Sequence, residues 1–158
     1  MHLPVVEYLH VLFGFTYVAA LMATHWNTLA ARRTTNWNER AALFELNRRL
    51  GLMFGLGSLI GAGIVGQLLA MQLGYRMADT RSFQLANALW LVNLLVLLAV
   101  DMPQAGRLAA QARAAANGGA TNEPVGWTGT LDRWRIANGV QLLVFLVLLY
   151  VMVSPWHH

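Results

Sequence analysis

"LGLMFGLGSLIGAGIVGQLLAMQL", residues 50–73, carries no charged side chain. A helix needs about 20 apolar residues to cross the hydrocarbon core of a bilayer, and this stretch supplies them. Residues 3–24, 83–100 and 136–154 meet the same test. Of the 158 residues, 57% are hydrophobic and 11% charged, whereas soluble domains are about 45–50% apolar and about 25% charged. Little chain remains outside the four stretches. The expectation is an all-α, integral membrane four-helix bundle forming a single domain in the lipid bilayer.

Every basic residue is arginine, and the arginines are placed unevenly. Arg32, Arg33, Arg40, Arg48 and Arg49 lie between the first two spans. Arg107, Arg113, Arg133 and Arg135 lie between the last two, and only Arg76 and Arg81 lie between spans two and three. Arginine excess marks the cytoplasmic side. Residues 25–49 and 101–135 are therefore expected to be cytoplasmic, with both termini on the outer, periplasmic side of a bacterial inner membrane. The first span has no preceding Lys or Arg and no A-x-A site in a suitable context, so it reads as a retained helix. The sequence pI of about 10.3 is then a signal of topology and lipid headgroups. The arginines flank spans and form no single basic face, so no nucleic-acid partner is expected.

The second span also carries a stripe of small residues: Gly51, Gly55, Ser58, Ala62 and Gly66, with Gly57 and Gly61 beside it. Small residues let helices approach closely in lipid. The stripe serves either a neighbouring helix or a flat cofactor. Asn36-Trp37-Asn38-Glu39 has the form of a capping box. "PQAGRLAAQARAAA" (103–116) suits a helix extending from span three, residues 117–129 read as a flexible loop, and Thr130 as a cap of the last helix. Trp26, Trp37, Trp127, Trp134 and Trp156 fall near expected interfaces, where indoles are favoured.

The absence of cysteine excludes disulfides, cysteine-ligated iron–sulfur clusters and covalent C-x-x-C-H haem. Non-covalent cofactors stay open. No GxGxxG, P-loop or HExxH motif occurs, which leaves the histidines. His10 and His25 are separated by about 22 Å along a helix and cannot share a metal. His25 is either solvated or paired with Asp101. His10 is embedded in apolar sequence, where an imidazole needs a reason to be. Glu7 stands at i−3 and could accept its Nδ1–H, the arrangement that metal-bound histidines favour. Gly14 at i+4 removes bulk beside the ring, and Phe13 and Tyr17 flank the gap. This pattern suits a haem b, or another tetrapyrrole, ligated by His10. It also suits a histidine bonded to Glu7 or to a polar neighbour. At the depth of His10 the other spans offer Gln67, Met71, Asn87, Trp90, Tyr150 and Met152. An axial pair would therefore be His–Met through Met71 or Met152, unless the haem is five-coordinate or another subunit contributes. The roles of His157 and His158 stay open. The polar set Gln67, Asn87, Asn93, Asn138 and Gln141 is expected to hydrogen-bond helix to helix.

The stretches "LHVLFGFTYVAAL" (9–21), "FELNRRLGLMFGLGSLIGAGIVG" (44–66) and "RWRIANGVQLLVFLVLLYVMVSPW" (133–156) together resemble small four-helix bacterial membrane proteins. That group includes HemJ-type protoporphyrinogen oxidases, the membrane domain of CopD-like copper-resistance proteins, and related integral membrane proteins. The resemblance implies a four-helix bundle with both termini outside. In the HemJ type it implies a b-type haem on the first-span histidine, here His10. Through "NRRL" it makes Arg48 and Arg49 candidates for contact with haem propionates or lipid phosphates. The HemJ-type third span has a His and a Lys near its start, whereas "FQLANALWLVNLL" (83–95) has neither. Three functions are compatible: a haem-b protein of electron transfer, with a quinone link as an option; a non-catalytic subunit of a larger respiratory or photosynthetic membrane complex, or of a homo-oligomer; and a HemJ-like oxidase.

Overall fold

The computed structural model describes residues 3–74 and 80–153, and all of its elements are helical. Four long helices make up the bundle: α1 (Leu3–Arg33), α2 (Trp37–Gln72), α3 (Arg81–Asn117) and α4 (Trp127–Val153). All four are long and apolar enough to cross a membrane. Neighbours run antiparallel. Asn27 meets Asn47 at one end of α1–α2 and His10 meets Ala62 at the other. Gly51 faces Met102, and Gly63 faces Trp90. Thr24 meets Asn138, and Tyr17 meets Phe145. The first and last described residues therefore share one end, with Arg81, opposite the other described arginines.

At 1.5 Å per residue, the 36 residues of α2 and the 37 of α3 reach about 55 Å, well beyond a hydrocarbon core of about 30 Å. Each helix thus has an apolar half and an arginine-rich half, and the halves are packed differently. In the apolar half large side chains face outward: Leu12, Phe15, Ile64, Leu95 and Leu143 are exposed, which suits lipid. The inner cluster there is Tyr17, Leu21, Leu59, Ala86, Leu97, Phe145, Leu148 and Val151.

The arginine-rich half is built like a soluble protein. Phe44, Trp134 and Leu108 are fully buried among Trp37, Trp127 and an alanine face of α3 formed by Ala105, Ala109, Ala112 and Ala115. Trp37 meets Trp127 edge-on at 5.2 Å, and Phe44 meets Trp127 at 5.5 Å. The Arg40 guanidinium lies 4.4 Å from the Trp37 ring centre. Three of the tryptophans expected at membrane interfaces are therefore core residues of this half. Its helices must bury a large apolar area to hold together in water, and the rings supply it. Trp26 is exposed at the boundary, and Trp156 lies outside the described residues.

Local chemistry accounts for the element boundaries. Asn36 caps α2, its side chain accepting from Asn38 N at 2.9 Å. The reciprocal half of the box is absent: the Glu39 carboxylate accepts from Thr34 Oγ1. The last helix begins at Trp127, so Thr130 is not its cap and donates from the first turn to the Gly126 carbonyl. Both central helices contain one π-helical stretch, Gly51–Leu56 and Leu97–Asp101. Pro103 explains the second, because its ring collides with the carbonyl of Ala99 in a regular α-helix. Beside the first, Ser58 Oγ donates back to the Phe54 carbonyl, a bond that weakens and bends helices.

Candidate functional site

Gly66 of the stripe of α2, and Gly61 and Gly63 beside it, are covered by the chain's own rings. A Cβ at Gly61 would lie 2.7 Å from the Phe13 ring, at Gly63 2.6 Å from the Trp90 ring, and at Gly66 2.9 Å from the His10 ring. No larger residue fits at these positions without displacing a ring. Two of the rings repeat one geometry from opposite sides. Trp90, on α3, covers Gly63 and donates Nε1–H to the Leu59 carbonyl at 2.8 Å. His10, on α1, covers Gly66 and places Nδ1 3.1 Å from the Ala62 carbonyl. In each case the ring covers a glycine and reaches the carbonyl one turn before it. At these three glycines α2 packs against rings of its neighbours, whereas Gly57, also beside the stripe, has nothing within 4 Å of its Cβ position.

The Ala62 carbonyl can only accept, so Nδ1 carries the hydrogen and Nε2 keeps a lone pair. This is the state of an imidazole that can bind a metal through Nε2. The orienting partner is a backbone carbonyl; Glu7 is exposed. Gly14 has no neighbour within 4 Å of a built Cβ, so the surface one turn beyond His10 is open. The other expected site residues are elsewhere. Tyr17 is 1% exposed in the bundle core, its ring 5.6 Å from that of Phe145. Met71 and Met152 face outward, 72% and 48% exposed, so neither completes an axial pair with the inward-packed His10. Arg48 and Arg49 lie at the opposite end of α2, about 25 Å from Gly66 along the helix. They pair with Glu45 at 3.0 and 3.3 Å. Bonding from Arg48, with Arg49 adding to it, holds the Glu45 carboxyl below the ordinary carboxylate range. The structure thus brings His10 to Ala62 and Gly66, while Tyr17 packs on Phe145, Arg48 and Arg49 pair with Glu45, and Met71 and Met152 are exposed. His25 is exposed while Asp101 is buried, so the two do not form the pair considered above. His157 and His158 lie outside the described residues. Among the described residues, no group of three or more His, Cys, Asp or Glu could hold a metal ion.

A second constellation lies deeper in the apolar half. Where the halves meet, Asn47 is 2% exposed. It donates to the Thr24 carbonyl and to Thr28 Oγ1, both at 3.2 Å, and accepts from Asn27 at 2.9 Å. Asn138 joins through Thr24 Oγ1 at 3.3 Å. This network and the Gln67–Asn87 pair fulfil the expectation of amides that bond helix to helix. Asn93 and Gln141 do not. Both are fully buried, and neither side-chain atom of either has a hydrogen-bond partner among the described residues. The same holds for Asp101 Oδ1 and Tyr17 Oη. Asn93 and Asp101 lie one turn to either side of Leu97, Gln141 lies one turn before Phe145, and Tyr17, Leu97 and Phe145 share one cluster. The sequence shows these residues only as scattered polar positions. What it held as a signal was spacing: Asn93 to Asp101 on one face, and Gln141 one turn from Asn138.

Comparison with family models, curated proteins and solved structures finds no match to this chain.

Proposed function

We propose that this chain is a haem-b-binding, multi-pass protein of the bacterial inner membrane that serves electron transfer, with His10 as axial ligand. The observation that supports it is the His10–Ala62 contact at 3.1 Å. A backbone carbonyl fixes the tautomer and leaves Nε2 of the half-buried ring as the donor atom, 3.9 Å from the Cβ position of Gly66. The haem would supply one-electron cycling of its iron. The residues of the chain do the rest. Ala62 holds the imidazole plane, and Gly66 lets the ring approach the α2 backbone. The arginine-rich half faces the cytoplasm in this reading, as the arginine bias requires. His10 then serves the outer side of the membrane. Met71 and Met152 face away, so any second side chain holding the haem would come from another subunit or a second copy.

A second reading is a non-catalytic subunit of a larger membrane assembly. It is favoured by the rings that cover Gly61 and Gly66 and by exposed aromatics such as Tyr8, Phe15 and Tyr150 on the apolar half. Oxidation of a porphyrinogen is not proposed, since the third-span His and Lys of that type are missing. The deciding experiment is the visible spectrum of the protein purified in mild detergent, oxidised and dithionite-reduced, with His10→Ala alongside. A Soret band with reduced-haem bands, lost in the variant, supports the first reading. A colourless protein of native helicity overturns it and leaves the second.

A further inference from the structure

The four side chains around Leu97 have no part in the haem reading. They are also costly. An amide or hydroxyl buried without a partner is destabilising, and a carboxylate more so. Tyr17, Asn93, Asp101 and Gln141 are each at least nine-tenths buried, and each presents at least one side-chain atom without a partner. The unpaired atoms come from three different helices, from residues in or one turn from the core layer of Tyr17, Leu97 and Phe145. That layer is also where both central helices depart from regular α geometry: the stretch Leu97–Asp101 ends on Asp101, and Gly55 of the stretch Gly51–Leu56 faces Leu97. π-helical turns in long helices recur at functional sites.

The set contains donors as well as acceptors. Asn93 Nδ2, Gln141 Nε2 and the Tyr17 hydroxyl donate; Asp101 Oδ1, Asn93 Oδ1 and Gln141 Oε1 accept. A bound metal cation asks for oxygens only. Water uses both kinds of group, making two to four hydrogen bonds in such positions. A single ionisable carboxyl among neutral, water-ordering side chains is the composition of an intramembrane proton site.

We propose that Asp101, Tyr17, Asn93 and Gln141 form an internal, hydrated proton-binding site, with the Asp101 carboxyl as the group that takes up and releases the proton. The proton comes from water at the arginine-rich end and returns to it. The polar layer of Asn138, Thr24, Asn47, Thr28 and Asn27 leads from that end toward Gln141, one turn beyond Asn138. Among the described residues, Asp101 forms no ion pair. From α1 the facing titratable group is Tyr17. From α2 the facing residues are Gly51 and Gly55; Arg48 lies toward the arginine-rich end, its stem against Gly106 and its guanidinium on Glu45. From α4 the facing residues are the neutral Asn138 and Gln141, while Arg135 and Asp132 pair with each other at 3.7 Å on the exposed side.

The test is infrared difference spectroscopy of the full chain in mild detergent, titrated with pH in sodium-free H2O and D2O buffers. Wild type is compared with Asp101→Asn and Tyr17→Phe, and helicity is checked by circular dichroism. The expected result is a protonated-carboxyl stretching band that appears and disappears with pH, is absent from Asp101→Asn, and is displaced but retained in Tyr17→Phe. If Asp101→Asn does not fold, Tyr17→Phe carries the test: a displaced band supports the site and an unmoved band overturns it. Superimposable titrations of wild type and a folded Asp101→Asn overturn the proposal. So does a band that ignores pH but is abolished by added sodium, which would make the site a cation site.

Discussion

Gly63→Ala tests the reading of the glycine stripe directly. A Cβ there would lie 2.6 Å from two carbon atoms of the Trp90 indole and 2.8 Å from its nitrogen. Carbon atoms in contact settle at about 3.5–4.0 Å, so the ring must retreat by about 1 Å. Its hydrogen bond to the Leu59 carbonyl is now 2.8 Å long. The same retreat stretches it to about 3.8 Å, past the range in which a hydrogen bond exists. Overpacking costs about 1–3 kcal/mol, and an interhelical hydrogen bond in membrane protein averages about 0.6 kcal/mol. Replacing a helical Gly by Ala returns up to about 1 kcal/mol. The net expectation is destabilisation of about 1–3 kcal/mol. The assay is unfolding of the detergent-solubilised protein, followed by helicity and tryptophan fluorescence. Gly57→Ala, in the same helix but with nothing within 4 Å of its built Cβ, is the control and should be neutral or stabilising. In a Trp90→Ala background the penalty of Gly63→Ala should vanish. If Gly63→Ala is as stable as Gly57→Ala, Gly63 is not a position on which Trp90 packs.

Other expectations concern single sites. Asn47→Ala removes three hydrogen bonds where the halves meet and should lower unfolding free energy by about 2–3 kcal/mol, measured by the same denaturation. Phe44→Ala empties the centre of the ring cluster and should cost about 3–5 kcal/mol, with a loss of near-ultraviolet dichroism from the tryptophans around it. Met71→Leu and Met152→Leu, singly or together, should leave any haem spectrum unchanged, since both side chains face outward; a shifted reduced spectrum would show that one of them is a ligand. Glu45 has a depressed folded-state pKa, so its pairing contributes stability above its unfolded value and loses it as pH falls through the folded one. Glu45→Gln should therefore flatten the acid limb of stability against pH.

The four spans were legible because lipid imposes a simple test of length and apolarity, and the structure meets it at each stretch. The helical run through 103–116 was legible too, from its alanines. The arginine-rich half was not legible as a packed core. Trp37, Trp127 and Trp134 carry the same letters whether they lie at a lipid interface or meet each other, and only the antiparallel register brings them together. The stripe of α2 was visible as small residues, but its occupants come from α1 and α3, at separations that periodicity cannot report. His10 stood out because an imidazole in apolar sequence is rare. Its partner was hidden because a backbone carbonyl leaves no trace in a sequence. The same holds for the buried polar layer: Asn93 and Gln141 read like Asn87 and Asn138, and only packing separates the amides that found partners from those that did not.

The division of the bundle into two differently packed halves has a consequence for how the protein comes apart. One half owes its cohesion to water's rejection of Phe44, Trp127 and Trp134, which urea weakens. The other owes little to water: its outer apolar surface is already exposed, and it holds through close contact and interhelical bonds, on which the surrounding amphiphile acts. Two independent levers therefore act on one chain. Denaturant should release the tryptophans while the spans persist, and harsh detergent should part the spans while the tryptophans stay clasped. Assembly in a membrane then has a natural order: the spans insert, and the aromatic clasp closes last, after α4 arrives.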